Sequence, residues 1–280
     1  MTTSFAVADG VRLRVRTAGD GRALLLIMGV GGNIEMWDPF DRELQVRGIQ
    51  TISFDAPGTG ESAELDRPRR MRWLAHLVEH LLDRLRYPVV DVLGVSWGGA
   101  LAQQLAHQAP HRVRRLVLAA TSAGMPGLGG VPGNPTAVIR LVSPRRYRDP
   151  DYLATVAGQL YGGAALHLPE GQLAARSARP PSLRGYRHQL WAVQGWTAVP
   201  WLGHLPQPTL VLAGDDDPLV PVANGRILAR LIPHARLVVV RGGGHLFLLQ
   251  LAPEMAGVIS EFLAASEPVG AARPLSGRTD

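Results

Sequence analysis

Val89-Val90-Asp91-Val92-Leu93-Gly94-Val95-Ser96-Trp97-Gly98-Gly99-Ala100-Leu101-Ala102-Gln103-Gln104 changes character halfway along. Up to Val95 it is an apolar, β-branched run, the composition of a strand buried on both faces. From Gly98 to about Gln108 it turns to small residues suited to a packed helix. Gly94-Val95-Ser96-Trp97-Gly98 therefore sits on a strand-to-helix turn. A turn that tight leaves no room for side chains two residues either side of its apex. It exposes the Ser96 hydroxyl and points a helix N-terminus at it, which favours developing negative charge. Ser96 reads as a nucleophile.

Working outward, the same strand character recurs. Phe5-Ala6-Val7 and the period-two run Val11 to Arg16 flank Asp9-Gly10, a hairpin signal, and the second run reads as half-exposed. Ala23 to Met28, Ile49 to Phe54, Val113 to Ala119, Leu210 to Gly214 and Arg236 to Val240 are further strands. Helical patterns run from about Met71 to Leu85, Val222 to Leu231 and Pro253 to Ala264. Buried strands alternating with helices predict a mostly parallel eight-stranded sheet covered on both faces. The rhythm breaks after the sixth strand. Ala123 to Pro135 holds five glycines and three prolines, and Thr136 to about Trp201 is irregularly helical. The chain thus divides into a core of residues 1–122 and 203–266, a helical lid of residues 123–202, and a polar, frayed tail of residues 267–280.

A serine nucleophile needs a base, and the base an orienting carboxylate. Sites of parallel sheets form at the C-terminal ends of strands. Two strands end suitably: one at Asp215-Asp216-Asp217-Pro218, the other at Arg241-Gly242-Gly243-Gly244-His245. Three glycines let His245 curl back over the sheet edge. Asp217 is chosen because it lies farthest into its loop with Pro218 behind it; Asp215 and Asp216 read as turn or helix-entry residues. Two backbone N–H groups are expected to bind an oxyanion, those of Trp97 and of Val30 in Gly29-Val30-Gly31-Gly32-Asn33. That loop is not a dinucleotide cradle, because G-x-G-x-x-G would need glycine where Ile34 stands.

Composition removes other chemistries. Of 280 residues none is cysteine, so disulfides, thiolate metal sites and a cysteine nucleophile are excluded. All 29 basic residues are arginine, which excludes a Schiff-base or P-loop lysine. The net charge is +6, yet the clusters Arg67/Arg69/Arg70/Arg72 and Arg145/Arg146/Arg148 are short and read as solvated faces, not as a nucleic-acid surface. No apolar run is long enough to span a membrane and no targeting segment is seen, so a soluble cytoplasmic protein is expected. His76-Leu77-Val78-Glu79-His80 spells an inverted zinc-peptidase signature but reads as an exposed face of an amphipathic helix; no metal and no cofactor is expected. In the lid, Trp191, Trp196, Trp201 and Tyr161 either glue it down or line an apolar cleft above Ser96.

The order Ser, Asp, His matches the α/β-hydrolase arrangement. The chain resembles that superfamily and, within it, the intracellular depolymerases of medium-chain-length polyhydroxyalkanoates. The resemblance lies in Gly94 to Gln104, Leu116 to Thr121, Ser143-Pro144-Arg145-Arg146-Tyr147, Tyr161-Gly162-Gly163, Gly195-Trp196-Thr197, Gln207 to Pro218 and Gly244 to Leu248. It departs at Met28, where relatives often carry a polar residue, and across Leu166 to Pro181. It implies the α/β-hydrolase fold, Ser96, Asp217 and His245 as a triad, and an aliphatic polyester as substrate, met at the surface of a storage granule. A small-ester carboxylesterase, a perhydrolase and a non-catalytic granule-coating protein are the rival readings.

Overall fold

The computed structural model describes residues 1–163 and 170–265. The expected tail, 267–280, and part of the divergent stretch 166–181 lie outside the described residues. Eight strands form one sheet: β1 (Thr2–Ala8), β2 (Val11–Ala18), β3 (Arg22–Ile27), β4 (Ile49–Phe54), β5 (Val90–Val95), β6 (Val113–Ala119), β7 (Thr209–Gly214) and β8 (Ala235–Val240). Their spatial order is β1-β2-β4-β3-β5-β6-β7-β8. Only the β1–β2 and β2–β4 pairings are antiparallel. Asp9 and Gly10 make the first turn with φ of 46° and 75°, the doubly left-handed geometry that a two-residue hairpin requires.

The reversal in strand order places the site. From β3 the chain steps one way to β4 through α1 (Asp38–Val46). It then crosses back over β3 to β5 through α2 (Met71–Arg84) and continues to β6 through α3 (Trp97–Gln108). Right-handed crossovers in opposite directions put their helices on opposite faces. Accordingly α1 packs with the terminal α11 (Ala252–Ala264), and α2 with α3. Between the C-terminal ends of β3 and β5 the loops diverge and leave a crevice. One wall carries Val30 and the other Ser96.

β2 departs from its sequence reading. Arg14 and Arg16 are buried, not solvated. Arg14 meets Glu35 at 2.6 Å and Asp55 at 3.4 Å, while Arg16 meets Asp38 at 2.5 Å and Asp41 at 3.2 Å. Period two found the right face of the strand, but that face is covered by acidic side chains from the β3–β4 connection and the end of β4. Burial pushes the Asp55 carboxyl up to about 6, against hydrogen bonds from the Glu61 and Ile34 N–H groups.

Between β6 and β7 the described residues form the helices α4 (Pro135–Val142), α5 (Pro150–Tyr161), α6 (Glu170–Ala178), α7 (Leu183–Val193) and α8 (Val199–Leu202), with a 3-10 turn over Pro144–Tyr147. The starts have a local cause. Asn134, Ser143 and Asp149 each accept an N–H of the following turn and each precedes a proline, and Ser182 caps α7. α9 (Val222–Leu231) joins β7 to β8, and α10 (Phe247–Gln250) precedes α11. The inserted helices bury a small apolar cluster of their own, including Leu153, Leu160 and Tyr161. It closes on Leu219 and Leu246, from the loops after β7 and β8.

Candidate active site

Ser96 has φ 55° and ψ −117°, a conformation that L-residues rarely hold. The surroundings enforce it. Ser96 N–H donates to Ala119 O at 2.9 Å, and Thr121 Oγ1 donates to Ser96 O at 2.8 Å. A Cβ at Gly94 would collide with Gly98 O, one at Gly98 with Ile27 O and Met28 O, and one at Gly99 with the Thr121 side chain. The glycines around Ser96 are therefore set by backbone packed against backbone as well as by the turn. Trp97 N–H is the first of α3 and has no acceptor within that helix.

The three aspartates after β7 are separated by what they hold. Asp215 Oδ1 accepts Gly242 N–H at 2.6 Å, and Asp216 Oδ2 accepts Gly163 N–H at 2.6 Å. Asp217 Oδ1 accepts the Leu219 and Val220 N–H groups at 2.8 and 2.9 Å. That leaves Asp217 Oδ2 to accept from His245 Nδ1 at 2.8 Å, with the carboxylate wholly buried. A neutral imidazole so held presents Nε2 as an acceptor. Only Gly242 of the glycine tract uses a positive φ, 64°. Gly244 is needed for close approach, because a Cβ there would strike the Tyr161 and Gly162 carbonyls. His245 N–H reaches Tyr161 O at 2.6 Å, and the Tyr161 and His245 rings stack 6.4 Å apart.

Ser96 and His245 line one cavity, with Met28, Val30, Tyr161, Arg176 and Leu246 among its walls. Ser96 Oγ makes no hydrogen bond among the described residues, so the serine and imidazole share the cavity without being bonded. A second apolar lobe lies on the other side of Ser96, walled by Trp97, Thr121, Met125, Leu190, Val193 and Trp196. Val30, Ser96 and Leu141 belong to both lobes.

The Val30–Gly31 peptide is held at both ends by the insertion. Tyr147 OH donates to Val30 O at 2.7 Å, and Arg146 Nη2 reaches the same oxygen at 3.3 Å. Gly31 N–H donates to Gln189 Oε1 at 2.8 Å, and Gln189 O accepts from Trp97 Nε1 at 2.8 Å. Gly31 itself, at φ 75°, is what lets Tyr147 and Tyr186 approach. Tyr147 belongs to a stretch the sequence singles out; Gln189 carries no sequence signal at all.

Of the four aromatic residues assigned to binding, the structure brings Tyr161 and Trp196 to the cavity. Trp191 lies instead under Arg70, whose guanidinium is 3.5 Å from its ring centre. Trp201 stacks on His107 at 4.4 Å and meets Trp196 edge-on. The cluster Arg145/Arg146/Arg148 is not uniformly a solvated face, since Arg146 is 2% exposed. Remote from this site, His76 and His80 share a helix face with rings 4.1 Å apart, and Asp9 pairs with His80. The three ligand atoms of that cluster lie within 4.8 Å of one another.

The α/β-hydrolase fold model matches residues 22–175 and 166–250, and the chain belongs to that family. By class it is a carboxylic-ester hydrolase. It is 45% identical over 257 residues to the poly(3-hydroxyalkanoate) depolymerase of Ectopseudomonas oleovorans, covering 91% of this chain and 89% of the relative. It is 30% identical to the 2-hydroxymuconate semialdehyde hydrolase of Pseudomonas sp. (strain CF600), covering 93% of each. Among solved structures, a hydrolase from Pseudomonas aeruginosa PA01 superposes with a TM-score of 0.78 at 29% identity, covering 94% of this chain and 98% of that one. Among the described residues no helix is long and apolar enough to cross a membrane.

Proposed function

We propose that this chain hydrolyses the ester bonds of a poly(3-hydroxyalkanoate) with medium-length side chains, through an acyl-enzyme. The observation that carries the reading is the 45% identity to a depolymerase over 91% of the chain, a span that must include the insertion. The apolar lobes on either side of Ser96 support it, because a polyester with alkyl side chains needs oily walls on both sides of the scissile bond.

Ser96 Oγ attacks the ester carbonyl as His245 Nε2 takes its proton. Asp217 holds the imidazole in that tautomer and offsets the charge it gains. The Trp97 and Val30 N–H groups receive the oxyanion. His245 passes the proton to the leaving alkoxide, and water then resolves the acyl-enzyme with the same imidazole as base. Residues 123–202 act as a lid that walls both lobes and shapes the oxyanion loop. The polymer would be met at the surface of a cytoplasmic storage granule.

The test is product analysis after incubation with emulsified medium- and short-side-chain polyesters, beside p-nitrophenyl esters. Release of hydroxyacids from the medium-chain polymer is expected. Turnover of small esters alone would make the chain a carboxylesterase. Ser96→Ala should lose several orders of magnitude and retain roughly 10³–10⁴-fold over water. Near-full activity of that variant would reject the mechanism.

A further inference from the structure

Two guanidiniums are buried beside the cavity, and they are occupied differently. Arg146 spends both terminal nitrogens on acceptors: Leu141 O at 2.6 Å, Tyr186 OH at 2.5 Å and Val30 O at 3.3 Å. Arg176, 1% exposed, gives Nη1 to Tyr161 OH at 2.8 Å. Its Nε is buried without an acceptor, and its Nη2 has none among the described residues. Those two donors form one edge of the guanidinium, and that edge matches the two oxygens of a carboxylate. No carboxylate is paired with either arginine among the described residues. The Tyr147 and Tyr161 rings, 5.7 and 5.0 Å from the Arg176 guanidinium carbon, offset part of the charge but put no acceptor on the free edge. The position of Arg176 is fixed from outside the lobe: Asn33 Nδ2 donates to Ala175 O at 2.8 Å and Arg179 O at 3.1 Å.

We propose that Arg176 binds the terminal carboxylate of the ester chain, so that the enzyme reads the acid end of a hydroxyacid oligomer. This rests on the hydrolase reading above. The side of the site follows from the proton. His245 must protonate the leaving oxygen, so the leaving fragment occupies the lobe that His245 shares with Arg176, Leu246, Leu248 and Leu249. In a 3-hydroxyalkanoate chain that fragment is a hydroxyacid. Its hydroxyl oxygen leaves toward the imidazole, its alkyl side chain meets the leucines, and its carboxylate lies at the far end.

Tyr161 spans the lobe between the two ends, stacked on His245 and bonded to Arg176. A buried carboxylate without a partner would be costly. Here it meets a cation that is already desolvated and has no counter-ion among the described residues. In the step itself the Ser96 Oγ–acyl bond forms and the ester C–O bond breaks. The serine proton passes through His245 to the hydroxyacid oxygen. Water then frees Ser96 and leaves the shortened chain ending in a new carboxylate, the group that the same lobe binds in the next cycle.

The test compares short 3-hydroxyalkanoate oligomers as free acids and as methyl esters, where only the terminal charge differs. Wild type should show a kcat/KM about ten- to a hundredfold higher for the free acids. Arg176→Met should bring that ratio close to one. Equal rates on both forms in the wild type, or an unchanged ratio in Arg176→Met, overturn the assignment while the hydrolase reading stands. A measurement without a variant serves if Arg176→Met does not fold: octanoate should inhibit wild-type cleavage of p-nitrophenyl butyrate competitively and more strongly than octanamide. Equal inhibition overturns the proposal. Failure of both oligomer forms and of the p-nitrophenyl ester to react would remove the hydrolase reading and this inference with it.

Discussion

Removing the two grips on the Val30–Gly31 peptide should damage catalysis more than the two losses taken separately. Tyr147→Phe deletes the 2.7 Å bond to Val30 O and leaves Arg146 at 3.3 Å on the same oxygen. Gln189→Met deletes the 2.8 Å bond at the other end of that peptide. A single neutral hydrogen bond is worth about 0.5–1.5 kcal/mol net, so each single variant should lower kcat by roughly two- to tenfold. In either variant the remaining grip still holds the Val30–Gly31 peptide and through it the position of Val30, whose N–H is the proposed oxyanion donor. With the Gly31 end freed and the Val30 end left only the longer 3.3 Å contact from Arg146, that donor can be lost. The ceiling is then the loss of one oxyanion donor, about 2.7–4 kcal/mol or 10²–10³ in kcat. The double variant should approach that ceiling and exceed the product of the singles, with KM changing little because the ground-state ester makes little use of the oxyanion donors. The assay is the acylation burst with a p-nitrophenyl ester, beside thermal unfolding to show that each variant is folded. A folded double variant no worse than the product of its singles would refute the reasoning. So would a single variant that alone falls by a hundredfold.

Two stability measurements probe the scaffold. Gly98→Ala would improve helix propensity, yet its Cβ would meet the Ile27 and Met28 carbonyls; a loss of about 1–3 kcal/mol in thermal or urea unfolding is expected, and a stabilised variant would show that the elbow is not packed as described. Asp55 is raised to about 6 by burial from an ordinary 3.8, so between those values the folded chain binds the extra proton. Its contribution to stability should therefore grow as pH falls through about 6 and level off below about 3.8, by roughly 3 kcal/mol. Asp55→Asn also removes a partner of Arg14, so the comparison lies in the pH slope of unfolding free energy between pH 4 and 6.5, not in the offset; equal slopes in variant and wild type would contradict the assignment.

What could be read from the chain was governed by short-range constraint. The glycines around Ser96 answer to clashes with the turn and with the neighbouring strand β3, and the Asn134-Pro135, Ser143-Pro144 and Asp149-Pro150 starts answer to helix N–H groups a few residues on. Strands buried on both faces announced themselves by unbroken apolar runs. Where burial came from elsewhere in the chain, reading by period failed: Arg14 and Arg16 looked solvated because their acidic partners arrive from other segments. Trp191 and Trp201 resembled Trp196 in composition and neighbourhood. Only the packing of α7 and α8 separates the tryptophan on the cavity from those turned to Arg70 and His107.

By itself the sequence determined the βα order, the strained turn at Ser96 and which loops end in an acid and an imidazole, since each depends on residues close together in the chain. Tertiary structure alone decided that Tyr147 and Gln189 grip one peptide from 117 and 158 residues away, and that Arg176, its Nε without an acceptor among the described residues, lines the lobe of His245. Such contacts depend on how the inserted helices settle over the crevice between β3 and β5. That placement is the sum of many weak packing terms, and no spacing along the chain encodes it.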